Sequence, residues 1–210
     1  MRSVRPALPG VISTILVIII GIEGVLLAAD HGVFGSPIWR LVAFQFGAFW
    51  PGLLGEWQPH FRGQPVTMFI TYTFLHGGVG HLLGNAVSLW SFGPVICHRT
   101  GQRGFVVIFI LTSLGGAICY AALSAENTPM VGASGAIFGL AGVWLRWQWR
   151  ERSGKIRDNL PIIAIIGLLI GLNVALYVWY DGALAWQTHL GGYMVGWICG
   201  GIRVRPKLQR

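Results

Sequence analysis

Residues 132–146 read GASGAIFGLAGVWLR, an apolar run in which the hydroxyl of Ser134 is the one strongly polar side chain before Arg146. Glycines at 135, 139 and 142 recur at roughly helical spacing, the small-residue pattern that lets one helix backbone approach another closely in lipid. The run predicts a membrane helix over 134–149. A polar group at such depth is by default a functional candidate, because its desolvation must be offset by something. The bland alternative is that Ser134 is only a small residue easing the start of the helix. A polar partner at the same depth on another helix decides between the two.

The rest of the chain is built for the same solvent. Of its 210 residues, 54% are hydrophobic and 10% charged, where a soluble domain carries about 25% charged residues. Apolar windows near 11–29, 79–97, 105–123, 134–149, 160–180 and 186–202 predict an all-α bundle of six spans forming one domain, 1–210, each span near the length needed for about 30 Å of hydrocarbon. Between the first two windows lies a long segment, 30–78, with Trp39, Phe44, Phe46, Phe49, Trp50, Pro51 and Trp57, which reads as an amphipathic loop lying in the interface. The formal charge of +8 does not point to nucleic acid, because the basic residues cluster between apolar runs rather than on one face of a soluble domain. Cys97, Cys119 and Cys199 fall within spans or at their inner ends and read as reduced structural thiols, not a disulfide framework. Arg2 and Arg5, the apolar stretch and Leu27-Ala28-Ala29 look like a secretory signal. The stretch is nevertheless longer than a signal's apolar region and is expected to be a retained span. Glu23 within it is expected to face other helices.

Basic residues in the connections give the direction. With the N-terminus in the cytoplasm, Arg2, Arg5, Arg99, Arg103, Arg146, Arg150, Arg152, Lys155, Arg157, Arg203, Arg205, Lys207 and Arg210 lie inside, thirteen of the fifteen, and only Arg40 and Arg62 lie outside. Both termini are then cytoplasmic. Heights follow from the 1.5 Å helical rise: Ser134 precedes Arg146 by twelve residues, roughly 18 Å, while His189 precedes Arg203 and Asn85 precedes Arg99 by fourteen, roughly 21 Å each. Three polar groups from three helices thus share one level below the outer edge of the hydrocarbon. His81 stands one turn above Asn85 on the same face. On the last helix, Gly192, Gly196 and Gly200 follow His189 at i+3, i+7 and i+11, a groove that admits the fourth helix. Gly167 and Gly171 read as generic packing. His31, His60 and His98 read as interfacial, and Trp147 and Trp149 as an interfacial belt.

Gly132-Ala133-Ser134-Gly135 resembles the Gly-x-Ser-Gly motif of rhomboid intramembrane serine proteases. His189 with Gly192 and Gly196 resembles the histidine helix of that family, and His76, His81 and Asn85 look like its His-x4-His-x3-Asn pattern. The resemblance implies a rhomboid-like six-helix core, with Ser134 as nucleophile and His189 as general base and then acid. It also implies an oxyanion held by the Ser134 backbone N–H with His81 and Asn85. No aspartate lies at this depth to orient His189, so a dyad is expected rather than a triad. Gly132, Gly135, Phe138, Gly192 and Gly196 are expected in support. Water is expected to arrive through a polar cavity under the loop between the fifth and sixth spans. Phe138 stands where many rhomboids have a tyrosine packed on the histidine, which keeps the ring and loses the hydroxyl. Thr67-Met68 stands where many bacterial members have Trp-Arg, and Cys97 where a glutamate is frequent, changes that bear on loop anchoring.

The expected partners are transmembrane protein substrates and membrane lipid, with no nucleic acid, metal or cofactor. The expected location is a bacterial cytoplasmic (inner) membrane, with the site opening to the outer side. A metalloprotease would need His-Glu-x-x-His, which the sequence lacks. An aspartyl type based on Tyr180-Asp181 lacks a Gly-x-Gly-Asp partner. Two rivals remain: a catalytically inactive rhomboid-like protein that binds membrane clients, and a haem protein with His81 and His189 as axial ligands.

Overall fold

The computed structural model describes residues 7–124, 128–152 and 156–202. Arg2, Arg5, Lys155, Arg203, Arg205, Lys207 and Arg210, on which the orientation and part of the height count rest, lie outside the described residues. Seven α-helices are described: α1 (Gly10–Asp30), α2 (Trp39–Gly47), α3 (Gln64–Thr71), α4 (Val79–Leu123), α5 (Ser134–Glu151), α6 (Ile156–Trp179) and α7 (Trp186–Gly201). By length and composition, α1, α4 and α6 are long and apolar enough to cross a membrane. The chain is an integral membrane protein, and all its regular structure among the described residues is helical apart from one isolated bridge.

The windows expected as separate helices at 79–97 and 105–123 are two helical arms of α4, broken at Gly101, whose φ 72° and ψ 168° are not helical. Glycine populates this left-handed region without the steric cost that a Cβ brings. The interruption reverses the chain. The Tyr72 hydroxyl donates to the Ser113 carbonyl at 2.8 Å, the Gly132 N–H donates to the Tyr72 carbonyl at 2.9 Å, and the His81 ring lies against Gly132. His81 and Ser113 therefore flank one junction, although a straight helix would hold them roughly 48 Å apart. The two arms of α4 run back to back.

Inward stripes at helical spacing build the core. Ile12, Ile15 and Ile19 of α1 meet Leu82, Leu89 and Ile96 of the first arm of α4, Phe105 and Phe109 of the second, and Ala136, Ile137, Leu140 and Val143 of α5. α5 is buried on nearly every side, as a helix surrounded by others must be. α6 is the opposite case: among its described residues only Asn159 and Ile162 are buried, and its packing is confined largely to α5.

The long first loop is folded and anchored. A cluster of Phe49, Leu53, Met68 and Tyr72 packs on Ala117, Tyr120 and Met130, and paired backbone bonds of 2.9 Å join Phe49 to Met130. Gln64 is fully buried, accepting from the His60 N–H and donating to the Gln45 carbonyl. Met68 occupies a fully buried position beside Tyr72, so the Thr67-Met68 departure supplies core packing.

A second anchor reaches α1. Glu23, 1% exposed on the inward stripe, receives two bonds from Arg40 at 2.9 and 3.0 Å; Arg40 also bonds Asp30 and the His76 carbonyl. The bond to Glu23 is the main cause raising the Arg40 pKa. Removing one member of a buried pair strands the other charge, which costs about 3–5 kcal/mol. Arg40→Ala is accordingly expected to lower unfolding stability in detergent by about 3 kcal/mol; a change below about 0.5 kcal/mol would show that the loop does not depend on this pair.

Candidate active site

Ser134 is the first residue of α5, and the preceding turn explains how it is presented. Gly132 has φ 120°, and a Cβ there would also stand 2.6 Å from the His81 Nε2, so both backbone and space require glycine. The turn leaves the N–H groups of the first helical residues without intrahelical acceptors and directs the positive end of the helix dipole at the serine.

His189 comes from α7 and is buried. Its Nε2 lies 2.8 Å from the Ser134 Oγ. The meeting expected from residue counting is therefore made at hydrogen-bond distance. The two helices come this close because glycine faces glycine. A Cβ on Gly192 would fall on the Gly135 carbonyl oxygen, one on Gly196 on the Gly139 carbonyl oxygen, and one on Gly200 would stand 2.8 Å from the Val143 carbonyl. A Cβ on Gly135 would meet the Thr188 Cγ2 and stand 3.3 Å from the Tyr72 hydroxyl. Phe138, one turn after Ser134, stacks on the imidazole with ring centroids 4.3 Å apart and planes 6° from parallel. The packing is kept without a tyrosine hydroxyl. Gly167 and Gly171, expected to serve generic packing, instead face open space, with nothing within 4 Å of an added Cβ.

The second nitrogen of His189 is also engaged: Nδ1 lies 2.5 Å from the Oδ1 of Asn173 on α6. The Asn173 Nδ2 donates to the Leu169 carbonyl at 2.9 Å, so the amide turns its oxygen, an acceptor, toward the ring. Nδ1 then carries the proton and Nε2 offers its lone pair to the Ser134 hydroxyl. Both nitrogens of His189 are thus engaged by side chains, Nδ1 by Asn173 and Nε2 by Ser134.

Asn173 is the residue that the sequence reading missed, and the signal was present. Asn173 follows Arg157 by sixteen residues on one helix, roughly 24 Å of rise. That is close to the level found for Ser134, His189 and Asn85. The search for an orienting group had asked for an aspartate, and an amide oxygen meets the same need.

His81 and Asn85 lie on the first arm of α4. The His81 ring rests on Gly132, two residues from Ser134, and its Nδ1 accepts the Gly77 N–H at 3.3 Å. Asn85 is buried, and its Nδ2 donates to the His81 carbonyl at 2.9 Å, which leaves the second hydrogen of that amide for another acceptor. His76 is fully buried, edge-on to His81 with ring centroids 5.2 Å apart. Burial, then the neighbouring His81, pushes its pKa down to about 4, so it is neutral at physiological pH.

Two cavities adjoin the site. One, about 490 Å³, lies between α6 and the α5–α7 pair and is lined by Phe138, Asn173 and His189 among apolar side chains. The other, about 470 Å³, lies under the connection between α6 and α7, with Tyr120, Thr128, Asp181 and Gln187 in its wall. Tyr177 and Trp186 line both. A polar space thus lies where the sequence places a water route, and it shares two walls with the cavity that reaches His189.

Comparison with known proteins agrees with the geometry. Residues 63–206 match the family model for the Rhomboid domain. The chain is 30% identical over 148 residues to the RHOMBOID-like protein 6, mitochondrial, of Arabidopsis thaliana, covering 69% of this chain and 46% of that protein. It is 33% identical over 149 residues to the Rhomboid-like protein 11, chloroplastic, of the same plant, covering 61% and 49%. It is 30% identical over 141 residues to the Rhomboid protease GluP of Bacillus subtilis (strain 168), covering 66% and 26%. The chain spans less than half the length of each of these relatives. With a domain match over most of its length and a serine and histidine joined between glycine-faced helices, this membrane protein belongs to the rhomboid family.

Proposed function

We propose that this chain is an intramembrane serine endopeptidase that hydrolyses peptide bonds in or near the transmembrane segments of other membrane proteins. The single observation that carries this reading is the 2.8 Å approach of the Ser134 Oγ to the His189 Nε2 at the start of α5. The Ser134 Oγ attacks the substrate carbonyl carbon, its proton passes to Nε2, and the carbonyl oxygen becomes an oxyanion. On collapse the C–N bond breaks and Nε2 returns the proton to the leaving amine, which leaves an acyl group on Ser134. Water, deprotonated by the same nitrogen, attacks the ester, and its breakdown regenerates the serine. The dipole end of α5, the Ser134 N–H, His81 and the remaining Asn85 amide hydrogen stabilise the oxyanion. Removing one such donor typically costs about 10²–10³-fold in kcat. Asn85→Ala is therefore expected to lower kcat by that factor with KM little changed; unchanged kcat would remove Asn85 from the oxyanion site.

The same reading takes both arms of α4, together with α1, α5, α6 and α7, as six crossings. Both termini are cytoplasmic, the site opens outward, and the host membrane is a bacterial cytoplasmic membrane. The clustering of basic residues at the inner ends, including Arg99, Arg103, Arg146, Arg150, Arg152 and Arg157, supports this direction.

The test is cleavage of a reporter transmembrane substrate in liposomes by the wild type, Ser134→Ala and His189→Ala. Product from the wild type alone is the expected result. Equal product from all three would overturn the proposal. Substrate binding without product from the wild type would favour a client-binding protein instead.

A further inference from the structure

Asn173 stands on α6, the helix with the least packing, yet it makes the one side-chain bond among the described residues to the Nδ1 of His189, at 2.5 Å. Its own amide is locked by donation to the Leu169 carbonyl. Rotating the amide by 180° would bring its oxygen against that carbonyl, which removes the bond to Leu169 and opposes two acceptors. The oxygen therefore faces the ring in one orientation only. An imidazole held by a fixed acceptor at Nδ1 keeps its proton there and keeps Nε2 free as a base.

We propose that Asn173 is a positioning residue for His189, making the reactive group a Ser134–His189–Asn173 relay whose third member is supplied by α6. This rests on the proteolytic reading above and deepens it. Two features fit such a role. Phe138 covers one face of the imidazole and restrains its plane, but a stacked ring can still flip about χ2 and exchange its nitrogens; the amide oxygen distinguishes them. The cavity of about 490 Å³ beside Asn173 separates α6 from α5 and α7, so little other packing holds α6 at this height. The state of His189 is thereby tied to where α6 stands.

The test uses the full chain in liposomes, comparing the wild type, Asn173→Leu and Asn173→Asp for peptide cleavage from about pH 5 to about pH 9. Asn173→Leu keeps the volume and removes the acceptor. It is expected to lower kcat at least about 10-fold with KM within about twofold, because the lost interaction acts on the base and not on the bound substrate. Asn173→Asp keeps the acceptor and adds a charge that favours the imidazolium. It should recover most of the turnover and move the acidic limb of the rate profile to higher pH. Asn173→Leu with wild-type kcat and an unshifted profile would overturn the proposal. So would loss of turnover in both variants with the acidic limb of the residual activity unmoved, since a packing role affects the amount of folded enzyme and not its titration.

Should Asn173→Leu fail to fold, ¹⁵N-histidine spectra of the wild type, with His189 assigned by its absence in His189→Ala, give the answer directly. The proton is expected on Nδ1, and a proton on Nε2 would refute the relay. Failure of the proteolytic reading itself looks different: the wild type would then match Ser134→Ala at every pH.

Discussion

Ser134→Ala is expected to lower cleavage of a transmembrane substrate by about 10⁴-fold or more, and His189→Ala by a similar factor. The two losses should not add in the double variant. In serine hydrolases generally, nucleophile and base act as a unit, so removing either removes the covalent route, and what remains comes from binding and oxyanion stabilisation. The geometry here has that character. The Ser134 hydroxyl gains nucleophilicity only through the Nε2 at 2.8 Å, and that nitrogen has no other side-chain partner among the described residues. Both variants are expected to fold, because Gly135, Gly139, Gly192 and Gly196 carry the packing of α5 on α7. Losses that multiply in the double variant would mean that the two side chains act in separate steps.

Gly196→Val is expected to have the second largest effect, and on the fold. A Cβ at 196 would overlap the Gly139 carbonyl of the facing helix, and the atom in the way is backbone, which cannot swing aside. The helices must separate, and the whole α5–α7 contact separates with them. Such overpacking belongs with the exceptional substitutions that cost about 4 kcal/mol or more. Since His189 lies two turns above on the same helix, separation also withdraws Nε2 from Ser134. Unfolding in detergent and activity should therefore be lost together. Gly171→Ala is the control: nothing lies within 4 Å of the added carbon, and stability should hold or rise by up to about 1 kcal/mol. A Gly196→Val protein of wild-type stability would show that the close approach is not needed.

Much of this was legible in the sequence because lipid makes the code simple. A window of apolar residues has little choice but to be a helix, so the windows around 11–29, 134–149 and 186–202 fall within a few residues of the helices α1, α5 and α7. Depth could be counted from the basic ends, which placed Ser134 and His189 at one level, and glycines at i+3, i+7 and i+11 marked the face that meets α5. The first loop was less legible. Its order depends on contacts remote in sequence, such as Arg40 with Glu23 and Phe49 with Met130, which no local pattern announces. The two arms of α4 were legible as two helices because hydropathy falls at the charged residues between them, and the backbone does break there, at Gly101. Burial of His76 depends on how the loop closes over it. Asn173 was countable by the same rule as Asn85 and was passed over because only a carboxylate was sought.

The central claim is that Ser134 is a nucleophile activated by His189. Reaction of the intact protein with a fluorophosphonate, followed by peptide mass mapping, tests it most directly. The expected result is one adduct, on Ser134, formed by the wild type, absent from Ser134→Ala and strongly slowed in His189→Ala. An adduct on any other residue, or labelling of Ser134→Ala at the wild-type rate, would contradict it.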